Sequence, residues 1–117
     1  MAVEDVYRAL GEDYDEVFQR LEKEERIGRY LNRFASEDYL SEMLTKLEEK
    51  DYAEAFRMIH SIKGMGMNIG MSKLFGAADE LCEALRYGPP QCDITGMVEK
   101  VKKEYGRVIE AIKAHNN

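Results

Sequence analysis

A chain of 117 residues is the size of one ordinary domain, and a helical bundle of that size buries a single core without disulfide or metal staples. The net charge of −6 comes from acidic residues spread along the chain, which argues against nucleic-acid and anionic-membrane partners and points to protein partners. No apolar run approaches the roughly 20 residues that cross a bilayer, and the acidic stretch from Met1 to Gly11 is unlike a signal sequence, so the expected compartment is the cytoplasm.

The chain opens with two short amphipathic turns, Val3, Val6, Tyr7 and Leu10, then Tyr14, Val17, Phe18 and Leu21, separated by Gly11, Glu12 and Asp13. They predict a short helical cap. A stronger helix follows with Ile27, Leu31 and Phe34 on one stripe, but Leu40, Met43, Leu44 and Leu47 fall on nearly the opposite side of a straight helix. That phase slip predicts a break near Ser36, with Ser36 as the N-cap of the new segment and Glu37 and Asp38 in its first turn, against the positive end of the helix dipole.

Asp51 is the predicted N-cap of a helix that runs to about Asn68, and Gly70 suits the left-handed position that ends it. Ser72 is the predicted cap of the next helix, whose stripe is Leu74, Ala78, Leu81 and Leu85. It ends near Tyr87, where Gly88, Pro89 and Pro90 stop it. Asp93 opens the last helix, in which Ile94, Val98, Val101, Tyr105, Val108 and Ile112 keep the spacing of a bundle seam. The predicted fold is all-α: an antiparallel up-down four-helix bundle with a short N-terminal helical cap, one domain over residues 1–117, monomeric.

The helix after Asp51 holds the chemistry. Setting His60 at zero, Ala55, Met58, Ile59, Ile62, Met65, Gly66 and Ile69 fall between about 140° and 260°, which makes them the predicted buried stripe. His60 lies on the other side with Phe56, Arg57, Lys63, Gly64 and Met67, so its imidazole is expected in solvent. A lone surface histidine says little; its neighbours say more. Lys63, three residues on, can reach an oxyanion attached to the imidazole. Gly64, four residues on, lies directly beneath His60, where a helix-interior glycine costs about 1 kcal/mol relative to alanine. The physical reason for that cost is access for a partner that must close over the ring.

Phe56 and Met67, with Arg57 and Asn68 beside them, read as a docking surface. The plainer reading has Phe56 tucked against a neighbouring helix and Met67 incidentally exposed. Gly66 is expected to permit close helix approach. Gly76 faces outward without an evident reason.

The run His60-Ser61-Ile62-Lys63-Gly64-Met65-Gly66-Met67-Asn68-Ile69-Gly70 resembles the signature of histidine-containing phosphotransfer domains: His, any, apolar, Lys, Gly, three variable, Asn, apolar, Gly. At average residue frequencies such a match arises by accident on the order of once in a million positions. The resemblance is strongest from Asp51 to Arg86. It implies a four-helix bundle with His60 as phosphoacceptor, Lys63 as the charge that steadies the phosphoryl group, and Gly64 as the access residue.

The partners it implies are receiver domains of response regulators or hybrid histidine kinases. It further implies a multistep two-component phosphorelay, with no cofactor on this chain and Mg2+ expected on the receiver. One position departs from the pattern. Many members place Glu or Gln 22 residues after the histidine, where it can bond the second ring nitrogen, and this chain has Cys82 there, with Asp79 and Glu83 close by. Glu83 or water is left to fill that role.

No glycine-rich nucleotide loop is present, so the chain reads as a phosphoryl carrier and not an enzyme with its own kinase site. The alternative is a docking module for receiver domains in which His60 stays unphosphorylated. A metal enzyme built from His60, His115, Cys82 and Cys92 has no supporting His-x-x-x-His or Glu-x-x-His helix face, and no metal is expected. The two cysteines read as reduced thiols.

Overall fold

The computed structural model describes residues 2–116, and every regular element among them is an α-helix. In chain order these are α1 (Val3–Leu10), α2 (Tyr14–Leu21), α3 (Glu24–Ser36), α4 (Tyr39–Glu48), α5 (Tyr52–Asn68), α6 (Ser72–Leu85) and α7 (Thr95–Ala114). None is long and apolar enough to cross a membrane.

The predicted phase slip is a real break, but its cap is not Ser36. Ser36 closes α3, its hydroxyl donating to the Arg33 carbonyl at 2.9 Å. Glu37 is extended (φ −108, ψ 148), so the free N–H groups of α4 open above Asp38, whose carboxylate accepts from the Ser41 N–H at 3.1 Å. Asp51 caps α5 as expected, accepting from the Glu54 N–H at 3.2 Å. Asp93 accepts both the N–H and the hydroxyl of Thr95 and so opens α7.

The cap of α6 comes from elsewhere in the chain. Ser72 is its first residue, not its N-cap. The Ser72 hydroxyl and the Lys73 N–H both donate to the carboxylate of Glu12, in the α1–α2 turn, at 2.6 and 3.2 Å. A short hydroxyl has been replaced by a charged group held in place by tertiary packing, which no local pattern announces. At its other end α6 stops at Leu85, slightly short of the expected Tyr87.

The two N-terminal helices lie over the α5–α6 turn. Tyr7 is fully buried and its hydroxyl donates to the Ile69 carbonyl at 2.6 Å, while Arg20 donates to the Met67 and Asn68 carbonyls. The Asn68 and Ile69 carbonyls are ones that the end of α5 leaves without helical partners, and the Met67 carbonyl also accepts from the Gly70 N–H. Burial pushes the Tyr7 phenol far above its ordinary range and keeps it a proton donor. Gly70 turns the chain with φ 73, and a Cβ there would lie 2.0 Å from Cγ2 of Val17, so backbone and packing both require glycine.

Behind this cap α5 packs between α4 and α6, α6 packs on α7, and α7 also receives α1 and α3. Ile27, Leu31, Met43, Ile59, Ile62 and Leu81 are among the side chains with no exposure at the centre. Each such side chain contributes about 1.5–3 kcal/mol on burial. Among the described residues no buried side-chain polar atom lacks a partner.

Candidate functional site

His60 is the middle residue of α5 and exposed, with Ala55, Ile59, Ile62 and Gly66 buried on the opposite face. Met58 and Met65, expected in the buried stripe, are half-buried at its edges. At Gly66 an added Cβ would stand 3.4 Å from the backbone nitrogen of Phe75, so the missing side chain lets α6 approach closely. At Gly64 an added Cβ would meet nothing within 4 Å. The chain's own packing therefore gives no reason for that glycine. Gly76 also faces open space, and nothing in the structure explains it.

The facing pairs of α5 and α6 set the level of each side chain. Arg86 lies over Phe56, Lys63 meets Asp79, and Gly66 meets Phe75, so numbers rise on one helix as they fall on the other. The two helices run antiparallel, and this register brings Cys82 level with His60. Cys82 is fully buried, and burial pushes its thiol up against the opposing pull of Lys63 and Arg86. Glu83, one of two candidates for the second ring nitrogen, is engaged elsewhere: it accepts from Arg86 at 2.5 and 3.2 Å, and this hydrogen bond holds its carboxyl below the ordinary range. Among the described residues no side chain or backbone group hydrogen-bonds the His60 ring.

Arg86 is the residue that sequence reasoning missed. Its guanidinium sits 5.6 Å from the centroid of the Phe56 ring, whose own centroid is 5.8 Å from that of His60. Arg86 and His60 line one open depression together with Arg57, Glu54 and Ser61. Its position one helical turn beyond Cys82, at the same face of α6, was the available signal.

Lys63 is turned towards α6. Its ammonium lies 2.8 Å from Asp79 Oδ1 and 5.9 Å from the centroid of the Phe75 ring, so both contacts are on α6. The hydrogen bond to Asp79 raises its pKa above the lysine norm. Arg57 is exposed and pairs with Glu54 at 2.8 Å. Phe56 is half-buried against the core, as the plainer reading has it, whereas Met67 is 61% exposed and Asn68 is exposed. Among the described residues no three metal-ligating side chains gather, and Cys92 is exposed while Cys82 is buried.

The family model for the Hpt domain matches residues 33–113, which takes in the end of α3 and nearly all of α4–α7, including the run from His60 to Gly70. This chain belongs to the Hpt domain family. Hpt domains act in phosphotransfer within two-component signalling and interact with receiver domains of response regulators. The α1–α2 segment lies outside the matched Hpt segment, although its turn supplies the α6 cap through Glu12 and its helices close the end of α5. Neither the curated proteins nor the solved structures gave a match.

Proposed function

We propose that this Hpt domain is a phosphoryl carrier in a multistep phosphorelay, accepting the group on His60 from a receiver aspartate or a kinase and passing it to a response regulator. The observation that carries this reading is an exposed imidazole at the centre of α5, with clear space over Gly64, with Arg57 and Arg86 lining the same depression, and with Lys63 one turn on along the helix. The proposed arrangement is an antiparallel four-helix bundle made of the broken α3–α4 pair, α5, α6 and α7, capped by α1 and α2. The carrier is monomeric and cytoplasmic, with no kinase site of its own.

In the transfer, the outer ring nitrogen of neutral His60 supplies its lone pair to phosphorus as the bond from phosphorus to the aspartyl oxygen breaks. The carboxylate leaves with that electron pair, and the proton stays on the second ring nitrogen. The receiver brings the metal. This chain supplies the positioned nucleophile and, through Lys63 and Arg86, charge for the equatorial oxygens. Phe56, Arg57, Met67 and Asn68 form the surrounding docking surface.

The test is transfer of labelled phosphate from a panel of phosphorylated receiver domains to wild type and to His60→Ala. Labelling of wild type alone supports the carrier. Binding of a receiver with no labelling, unchanged in His60→Ala, supports the docking module with an idle histidine.

A further inference from the structure

Lys63 and Arg86 each pair with a carboxylate of α6: Lys63 with Asp79, and Arg86 with Glu83. The Glu83–Arg86 pair joins α6 to its own C-cap residue, so it moves with that helix and holds the guanidinium in place over Phe56. The Lys63–Asp79 pair is different, because it joins two helices and draws the ammonium towards α6. A lysine has a single charged head on a flexible stem, so full engagement with one carboxylate and with a phosphoryl group are competing arrangements.

We propose that Asp79 is a positioning residue that competes with the phosphoryl group on His60 for the Lys63 ammonium, and so tunes how strongly the phosphorylated state is held. This rests on His60 being the phosphoacceptor. In the unphosphorylated chain the pair is neutral and compact. Once a dianion is attached to His60, Lys63 is shared between it and Asp79, and the carboxylate cancels part of the charge that would steady the phosphoryl oxygens. An asparagine at 79 keeps the shape and a hydrogen-bonding oxygen but removes the competing charge. Lys63 then serves the phosphoryl group alone. Asp79 is half-exposed on α6, so the substitution leaves the core untouched.

The experiment uses phosphoramidate, which phosphorylates exposed imidazoles without a protein partner, in a His115→Gln background so that His60 carries the only label. The 31P resonance is titrated to read the second acid dissociation constant of the attached phosphoryl group. A nearby free ammonium raises that constant, whereas a change in packing alone does not. Asp79→Asn is expected to raise it about two- to fivefold, the range of a partly exposed ion pair, and Lys63→Met is expected to lower it.

In a Lys63→Met background, Asp79→Asn is expected to have less than half that effect. No change in Asp79→Asn overturns the proposal, and an equal change with and without Lys63 also overturns it, because Asp79 would then act by its own field alone. Phosphoramidate loading needs no receiver, so a flat titration here and a failure of receiver transfer are separate findings.

Discussion

The rings of Phe56 and His60, one turn apart on α5, lie with centroids 5.8 Å apart and planes tilted by 46°. Phe56 is held from behind by the core and from outside by the Arg86 guanidinium, so it is a fixed wall against which the imidazole rests. Phe56→Ala is expected to slow phosphoryl acceptance several-fold by freeing the ring of His60. For a half-buried phenylalanine it also lowers unfolding stability by about 1–2 kcal/mol. Phe56→Leu restores most of the stability but not the rate. Parallel denaturant melts and transfer time courses separate the two effects.

Gly64 sets stability against access. With open space around its missing Cβ, Gly64→Ala is expected to stabilise the folded chain by about 1 kcal/mol, the helix-propensity difference. Transfer from a receiver is expected to slow at the same time, and Gly64→Leu should slow it further. Thermal unfolding and transfer rates measured on the same samples check this, and the two quantities should move in opposite directions.

Gly70 has no such freedom. Its φ of 73 and the 2.0 Å approach to Val17 make Gly70→Ala destabilising by about 2 kcal/mol or more. Equilibrium denaturation reads this directly. The loss should be accompanied by faster hydrogen exchange at the α5–α6 turn, where α1 and α2 dock.

Much of this architecture was legible in the chain because it is written locally. The Asp51 cap, the Asp93 carboxylate just ahead of α7, the break after α3 and the stop at Gly70 follow from short-range patterns of polar and apolar residues. Glu12 capping α6 was not legible, since its partners lie some 60 residues away and are fixed by packing of α1 and α2. At the site, the exposed face of His60 and Gly64 followed from helical period alone. The direction of Lys63 and the presence of Arg86 did not, because both depend on the register of α6 against α5.

Glu83 gives the site a measurable acid response. Its folded pKa is depressed, chiefly by the hydrogen bond from Arg86, so its contribution to stability is present above the ordinary glutamate range and is lost as pH falls through the depressed value. The stability gap between wild type and Glu83→Gln is therefore expected to be full at neutral pH and to close in acid below that value. Denaturant melts across pH 2.5 to 7, roughly spanning ordinary carboxyl titration, check the sign. A gap that widens on acidification contradicts it.

The most direct test of the central claim is the chemical identity and position of the phosphoryl group after transfer from a phosphorylated receiver. The expected result is an acid-labile, alkali-stable label mapped by mass spectrometry to the fragment holding His60, and absent from His60→Ala. A label on another residue, or one that persists in His60→Ala, contradicts the assignment of His60 as the carrier.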